Sequence, residues 1–146
     1  MTPEALWGEF CAATGHAGEP RGVDQFGDDP GMADELLALV LAGTKRATCC
    51  LARDFADTPL RPGDHWIITD GEGLARAITR TDSVEVVAIR EVTEEMAWTE
   101  GEGDRSLAYW KAAHDAYFER QGEREGFDYD DAMLGLFERF TCVWPV

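Results

Sequence analysis

Residues 43–48 read Gly-Thr-Lys-Arg-Ala-Thr and connect a predicted helix to a predicted strand. The preceding residues, 32–42, place apolar side chains at helical spacing, and Gly43 is the residue type that ends a helix in a left-handed conformation. The turn brings Lys45 and Thr48 toward one point, where a lysine can activate a hydroxyl as a nucleophile. The alternative is structural, with a capping glycine, a solvated lysine and an ordinary strand residue.

Residues 100–107 read Glu-Gly-Glu-Gly-Asp-Arg-Ser-Leu and also allow a catalytic and a structural interpretation. Glu100, Glu102 and Asp104 alternate with glycine, so an extended loop would direct all three carboxylates to one side. Crowded carboxylates raise each other's pKa, which suits general acid–base catalysis, and they also suit a divalent cation. The alternative is capping of the following helix, which fits Asp104 and Ser106 well and Glu100 poorly.

The charge of the chain limits its partners. The 13 Lys and Arg residues face 29 Asp and Glu residues, which gives a formal net charge of −16 over 146 residues. Duplex binding depends on neutralising phosphates, so we expect no duplex DNA partner. A small ligand, or a short single strand held in a local basic groove, is compatible with this charge, and five arginines are candidates for that groove: Arg46, Arg53, Arg76, Arg80 and Arg105.

Other compositional features argue against a membrane or disulfide-rich protein. No apolar run approaches the roughly 20 residues that span a bilayer, and the first residues lack the basic region and apolar core of a secretion signal. The cysteines, Cys11, Cys49, Cys50 and Cys142, show no C-x-x-C spacing. We therefore expect no structural metal, no disulfide framework, no membrane partner and a cytoplasmic location.

Periodicity along the chain predicts the main elements. Helices are predicted at 3–13, 32–42, 93–98 and about 105–120, and strands near 46–52, 65–69, 74–81, 83–90 and from about 135. Residues 14–31 are rich in Gly, Pro and Asp and are predicted to be irregular. These elements predict an α+β fold, built around a small, mostly antiparallel β-barrel or curved sheet with flanking helices.

The helix from about residue 105 carries several aromatic side chains at helical spacing. We expect it to bury Leu107, Trp110 and Tyr117 in the core. The remaining candidates for a cleft on this helix are Tyr109, Lys111 and His114.

The ordered motifs resemble the ASCH domain family, a branch of the PUA-like β-barrel superfamily. They are G-x-K-x-x-T at 43–48, the segments Pro62-Gly63-Asp64 and Asp70-Gly71, and the stretch from Glu100 to His114. The resemblance runs from about residue 25 to 143 and implies a single domain over 1–146, with residues 1–30 as an extension of a motif core at 31–146. It also implies a cleft lined by residues 43–48 and the facing helices.

Members of this family are thought to bind RNA or nucleotides. Small bacterial members act as amidohydrolases on N4-acylated cytidines through a Thr–Lys–Glu set, which corresponds by motif to Thr48, Lys45 and Glu100. In that mechanism Lys45 removes the proton of Thr48 and Glu100 transfers it to the leaving amine. The residues expected to bind substrate are Arg46, Trp66, Glu102, Asp104, Ser106, Tyr109 and Trp110.

Two other functions are compatible with the same motifs. In a ribonuclease acting on single-stranded RNA, Lys45 would stabilise the transition-state charge and Glu100 or Glu102 would take the 2′-hydroxyl proton, with or without a divalent metal. In a non-catalytic module, Lys45 and Thr48 would hold a phosphate or a base edge. The expected partners are therefore a small nucleoside or a short single-stranded RNA, and the expected oligomeric state is a monomer or dimer. No cofactor is expected for the amidohydrolase.

Overall fold

The computed structural model describes residues 1–145 and confirms the α+β class. The α-helices of this part of the chain are α1 (Pro3–Thr14), α2 (Pro30–Leu41), α3 (Glu94–Glu100) and α4 (Leu107–Glu125). The strands are β1 (Gly22–Asp24), β2 (Ala47–Leu51), β3 (His65–Thr69), β4 (Ala75–Ala88) and β5 (Leu134–Trp144). Short 3₁₀ helices follow β2 and β4, and Val146, the last residue of the predicted motif core, lies outside the described residues.

The strands form one curled, half-barrel sheet in the order β1-β3-β4-β5-β2. Strand β1 runs parallel to β3, and the other neighbours are antiparallel, as the sequence predicted. This order places β2, which follows residues 43–46, beside the closing strand β5. None of the helices in residues 1–145 has the length and apolar character needed to cross a membrane.

Two predictions about the strands were wrong. The strands predicted at 74–81 and 83–90 are one strand, β4, because the ladder with β5 shifts register between Thr81 and Ser83 and accommodates Asp82 as an extra residue. The Asp82 carboxylate accepts hydrogen bonds from Arg80 at 3.0 Å and Thr141 at 2.6 Å, which satisfies it at the bend. The continuous strand therefore bends at this irregularity.

The second wrong prediction concerns residues 14–31, which contain strand β1 and are not wholly irregular. Strand β1 is only three residues long, too short to produce a periodic pattern, and it forms because it pairs with β3. A side chain on Gly22 would run into the ring of Trp66, so glycine is what allows this pairing. The pairing brings residues 24–27 over the sheet, next to the start of α2.

The core is divided among three groups of buried side chains. Helix α1 packs on β3 and β4, helix α2 packs on the sheet through Leu37 and Val40, and helices α3 and α4 pack on β2 and β5. Lys45 lies in the corner between α2 and β2, where the second and third groups meet. The fold therefore has a polar side chain at the junction of two apolar clusters.

The ends of α3 and α4 are determined by their caps. Thr93 begins α3 by accepting from the Met96 amide. Ser106 begins α4 by accepting from the Tyr109 amide, as the sequence predicted. Gly101 caps the C-terminal end of α3, and its φ of 73° is left-handed. The Gly101 backbone lies directly against the carbonyl group of Thr44, so it holds α3 against the 43–48 corner.

We predict that Gly101→Ala destabilises the protein by about 2–4 kcal/mol, because left-handed strain adds to overlap of the new methyl with the Thr44 carbonyl. Gly15 is the matched control, since it ends α1 at a φ of 75° with no atom near the corresponding position. Gly15→Ala should cost only the backbone strain, about 1 kcal/mol. Chemical denaturation of both variants measures the difference, and equal losses would contradict the role of the Thr44 contact.

Candidate active site

Lys45 is buried beneath the surface with only 2% of its area exposed. Its ammonium group donates three hydrogen bonds, to the carbonyl of Ala47 at 2.8 Å, to Glu100 at 3.2 Å and to Glu102 at 2.7 Å. An ammonium has three donors, so every one is satisfied. The Phe26 ring centroid lies 5.3 Å from Nζ on another side. Lys45 is therefore a buried cation whose three N–H donors are all hydrogen-bonded.

The electrostatic surroundings keep Lys45 protonated. Burial alone would lower the pKa of its amine, but the Glu102 and Glu100 carboxylates outweigh burial and raise the pKa above its usual value. The amine is then charged at neutral pH and has no lone pair with which to accept a proton. This arrangement favours a charge-stabilising role for Lys45 over the general base expected from sequence.

Glu100 lies behind Lys45 and has no exposed surface. One carboxylate oxygen contacts Lys45 and lies 3.4 Å from His114, and the other accepts a 2.6 Å hydrogen bond from the Trp110 indole. Burial would raise the pKa of this carboxyl, but Lys45 and His114 lower it to about 2. Glu100 is therefore an ionised group that holds other side chains in position.

The extended acidic loop expected at residues 100–104 is absent. Glu100 is the last residue of α3, Glu102 is half-buried, and Asp104 is exposed, so the three carboxylates do not share one face. The left-handed Gly101 turns the chain between the first two, and the Asp104 carboxylate accepts from the Ser106 amide ahead of α4. The capping interpretation is correct for Asp104 and Ser106.

His114 completes the buried polar cluster. Its ring stacks on Trp110 with centroids 4.0 Å apart, its Nδ1 faces the Trp110 carbonyl at 2.8 Å, and its Nε2 faces Glu100. Burial acts to lower the pKa of His114, but the Glu100 carboxylate raises it overall. Both ring nitrogens face acceptors, and the imidazolium form would satisfy both of them. In that form Lys45 and His114 together would balance the carboxylates of Glu100 and Glu102.

A cavity of about 370 Å³ opens above this cluster, a size that accommodates a small ligand. Lys45, Thr48, Glu102, Trp66 and Tyr109, all predicted as site residues, contribute to its lining. The segment 25–27 also lines it. The basic residues that line the cavity are Lys45 and His114. The acidic residues that line it are more numerous: Asp24, Glu35, Asp54, Glu102 and Glu138.

The other predicted site residues do not line the cavity. Glu100 and Trp110 support it from behind, through their hydrogen bonds to Lys45 and to each other. Arg46 has an exposed side chain, and its backbone bridges Thr99 and Phe140. Asp104 and Ser106 act at the start of α4. Of the three helix residues considered for a cleft, Tyr109 and His114 line the cavity, whereas Lys111 pairs with Asp115 and Asp131.

The five arginines do not gather into a basic groove within residues 1–145. None of them lines the cavity, and four are committed to separate neighbours. Arg76 pairs with Asp70 and Arg80 with Asp82, while Arg53 stacks on Phe127 and Arg105 on Trp98. The cavity therefore offers little attraction for a chain of phosphates.

Thr48 provides a hydroxyl for nucleophilic chemistry on the wall of the cavity that Lys45 and Glu102 also line. It is half-buried in β2, lines the cavity, and stands directly opposite Glu138 of β5. Cys50 lines the same cavity two residues further along β2, but burial raises the pKa of its thiol to about 12. The thiol is protonated at neutral pH and is a poor nucleophile.

Glu138 was missed by the sequence analysis. It is 7% exposed, lines the cavity and accepts a 2.5 Å hydrogen bond from the Thr81 hydroxyl. Burial raises the pKa of its carboxyl to about 7. The signal that could have found it is a carboxylate two positions from both Leu136 and Phe140, which lie on the same face of a strand, but its position opposite Thr48 depends on strand pairing.

Glu100, Glu102 and His114 also bring potential metal-ligand atoms within 4.8 Å of one another. The Lys45 ammonium already contacts both carboxylates, and His114 Nε2 faces Glu100 at 3.4 Å, which suits a nitrogen that carries a proton. A divalent cation would have to displace Lys45 and deprotonate His114. The cluster as it stands is neutralised by side chains and does not fit a metal.

Comparison with known proteins agrees with this fold and these motifs. The model of the ASCH domain family matches residues 22–144. No curated protein matches the chain. A crystal structure of an ASCH domain from Lactobacillus crispatus is 28% identical with a TM-score of 0.85, over 97% of this chain and 93% of that one.

A crystal structure of a protein from Enterococcus faecalis is also 28% identical, with a TM-score of 0.89, over 96% of this chain and 86% of that one. A hypothetical protein of known structure, 15% identical with a TM-score of 0.54, covers 84% of this chain and 96% of its own and shows a likeness of fold alone. Since the family model covers most of the residues, including all five strands, the chain belongs to the ASCH domain family.

Proposed function

We propose that the protein hydrolyses the amide bond of an N4-acylated, cytidine-type nucleoside. The observation that carries this proposal is the placing of Thr48 and the Lys45–Glu102 pair on the walls of one cavity of nucleoside size. Glu100 accepts a hydrogen bond from Lys45 from behind and is itself held by the Trp110 indole. Amide hydrolysis through a covalent intermediate needs three groups around one pocket: a hydroxyl as nucleophile, a fixed cation and a carboxylate.

The charge of the cavity favours a nucleoside over RNA. Five carboxylate residues and two basic residues line it, and the Lys45 ammonium is already neutralised by Glu100 and Glu102. A phosphodiester would be repelled at close range, whereas an uncharged nucleoside would not. Aromatic walls, including Phe26, Trp66 and Tyr109, suit a planar base.

In the first step of the proposed reaction, the carbonyl oxygen of the substrate replaces Glu102 as a partner of Lys45. Glu102 then takes the proton of Thr48 as the hydroxyl oxygen attacks the carbonyl carbon. Lys45 stabilises the negative oxygen of the tetrahedral intermediate, because a preorganised cation in a dry site acts where charge develops. Glu100 stays ionised and holds Lys45 in place.

In the second half, the C–N bond breaks and the proton on Glu102 passes to the leaving amine, which leaves an ester on Thr48. Water then attacks this ester with Glu102 again accepting a proton, and the acid product leaves with the Thr48 hydroxyl restored. Glu102 replaces Glu100 in the proton transfer because Glu100 is fully buried and does not line the cavity.

The direct test is incubation of the wild-type protein with N4-acetylcytidine, N4-acetylcytosine and short single-stranded RNAs, with products separated by chromatography. We expect release of acetate together with cytidine or cytosine, according to the substrate, and no cleavage of RNA, with activity unchanged by EDTA. Intact acylated cytidine at high protein concentration would contradict the proposal. Cleavage of RNA that EDTA abolishes would favour the metal-assisted ribonuclease instead.

A further inference from the structure

We propose that Glu138 is a specificity residue, whose carboxyl O–H donates to an unprotonated ring nitrogen and so selects cytosine-type over uracil-type bases. This inference rests on the proposed nucleoside site and names the part of the substrate that the site reads. Glu138 would contact the base and take no part in breaking the amide bond.

The position of Glu138 places it beside the proposed nucleophile. Thr48 and Glu138 are direct partners in the β2–β5 ladder, so their side chains project from the same face of the sheet. Both line the cavity. Directly opposed residues on antiparallel strands have Cβ atoms about 5 Å apart. This spacing suits a base whose ring nitrogen contacts Glu138 while the amide carbonyl carbon, three bonds away, faces Thr48.

The two carboxyl oxygens of Glu138 have different surroundings. Oε2 accepts the 2.5 Å hydrogen bond from Thr81, which lies on β4 and is itself 1% exposed. Oε1 has no hydrogen-bond partner among residues 1–145. Because Thr81 acts as the donor at Oε2, the proton of the neutral acid belongs on Oε1, the oxygen left for a ligand.

The neighbours of Glu138 favour its neutral form. Burial is the largest effect that raises the pKa of this carboxyl to about 7, and the carboxylates of Asp24 on β1 and Asp64 before β3 raise it further. The Thr81 hydrogen bond and Lys45 act in the opposite direction. Cys50, the remaining titratable neighbour on β2, carries no charge near neutrality. Below pH 7 the group is mainly an O–H donor, and above it an acceptor.

This donor distinguishes the two common pyrimidines. The ring nitrogen next to the N4 group of cytosine bears a lone pair and accepts a hydrogen bond, whereas the corresponding nitrogen of uracil bears a hydrogen. Contact with that ring nitrogen places the N4 amide next to Glu138 and its carbonyl near Thr48. The Trp66 ring, on the same cavity wall, offers a flat surface for the base.

The experiment measures binding of unmodified cytidine and uridine by calorimetry, so it does not depend on turnover. At about pH 6 we expect wild-type protein to prefer cytidine by at least tenfold, and this preference should fall roughly 10–30-fold by about pH 8.5 as Glu138 ionises. Titration of His114 should affect both nucleosides alike, so the cytidine-to-uridine ratio isolates Glu138.

Two variants separate hydrogen bonding from ionisation. Glu138→Gln keeps an N–H donor for the ring nitrogen and an acceptor for Thr81, so it should prefer cytidine at both pH values. Glu138→Met should prefer cytidine at neither pH, with circular dichroism confirming that it is folded. A wild-type ratio that does not change with pH, or a Glu138→Gln protein without a preference, would overturn the inference.

The outcomes also distinguish this inference from the proposed function. Hydrolysis of N4-acetylcytidine together with a pH-independent cytidine-to-uridine ratio would contradict the role of Glu138 alone. Binding of neither nucleoside would contradict both proposals. A pH-dependent cytidine preference without hydrolysis would support the Glu138 contact and contradict the catalytic proposal.

Discussion

Replacing Lys45 by methionine is expected to reduce hydrolysis of an N4-acylated cytidine by at least about 10³-fold and to lower the free energy of unfolding by about 3–5 kcal/mol. The loss of stability arises because Glu100, which has no exposed surface, keeps His114 but loses its ammonium partner. The loss of activity arises because the ammonium group that would stabilise the tetrahedral oxyanion is gone. Steady-state kinetics and chemical denaturation measure the two effects separately.

The other lysine of the chain is the matched control. Lys111 also contacts two carboxylates, Asp115 and Asp131, but its side chain is 34% exposed, so Lys111→Met should cost no more than about 1 kcal/mol and leave activity unchanged. The double variant Lys45→Met/Glu100→Gln removes both charges of the buried pair and should recover most of the lost stability but no activity. A double variant that regained hydrolysis would contradict the catalytic role of Lys45.

Thr48→Val is expected to reduce kcat by at least about 10³-fold with little change in cytidine binding or stability. Valine has the shape of threonine without the hydroxyl, and Thr48 is half-buried in a strand, where both residues fit. Thr48→Ser keeps the hydroxyl and should retain measurable turnover. Mass spectrometry of protein mixed rapidly with N4-acetylcytidine should detect an acetyl group on the wild-type and serine proteins.

The acetyl group should be absent from Thr48→Val protein. Full activity of Thr48→Val would show that water attacks the amide directly, with Thr48 only forming part of the wall. Loss of nucleoside binding together with activity would instead assign Thr48 a role in binding. Measuring kcat and nucleoside binding separately therefore distinguishes a nucleophile from a residue that only contacts the substrate.

The elements of the fold that sequence predicted well are those with a strong local signal. Helix α2 has clear periodicity and a left-handed glycine after it, and α3 and α4 begin at Thr93 and Ser106, which are good capping residues. Strand β1 and the continuity of β4 were not predicted, because they depend on pairing with β3 and β5. A three-residue strand has too little sequence of its own to produce a period.

The candidate site was also predicted only in part from the sequence. The sequence indicated Lys45, Thr48 and Glu100 through their motifs, and the folded chain brings Lys45 and Glu100 within 3.2 Å across a separation of 55 residues. It gave no indication that Glu100 would be enclosed while Glu102 faces the cavity. Only the left-handed turn at Gly101 and the packing of Trp110 decide that difference.

By itself, the sequence determined the α+β class, the family and the residue types able to carry out chemistry, because periodicity, capping and motif spacing are local properties of the chain. Tertiary structure alone decided the protonation of Lys45, the enclosure of Glu100 and the pairing of Glu138 with Thr48. The physical reason is that a charge responds to burial and to neighbours that are distant in sequence, and neither exists until the strands and helices have packed.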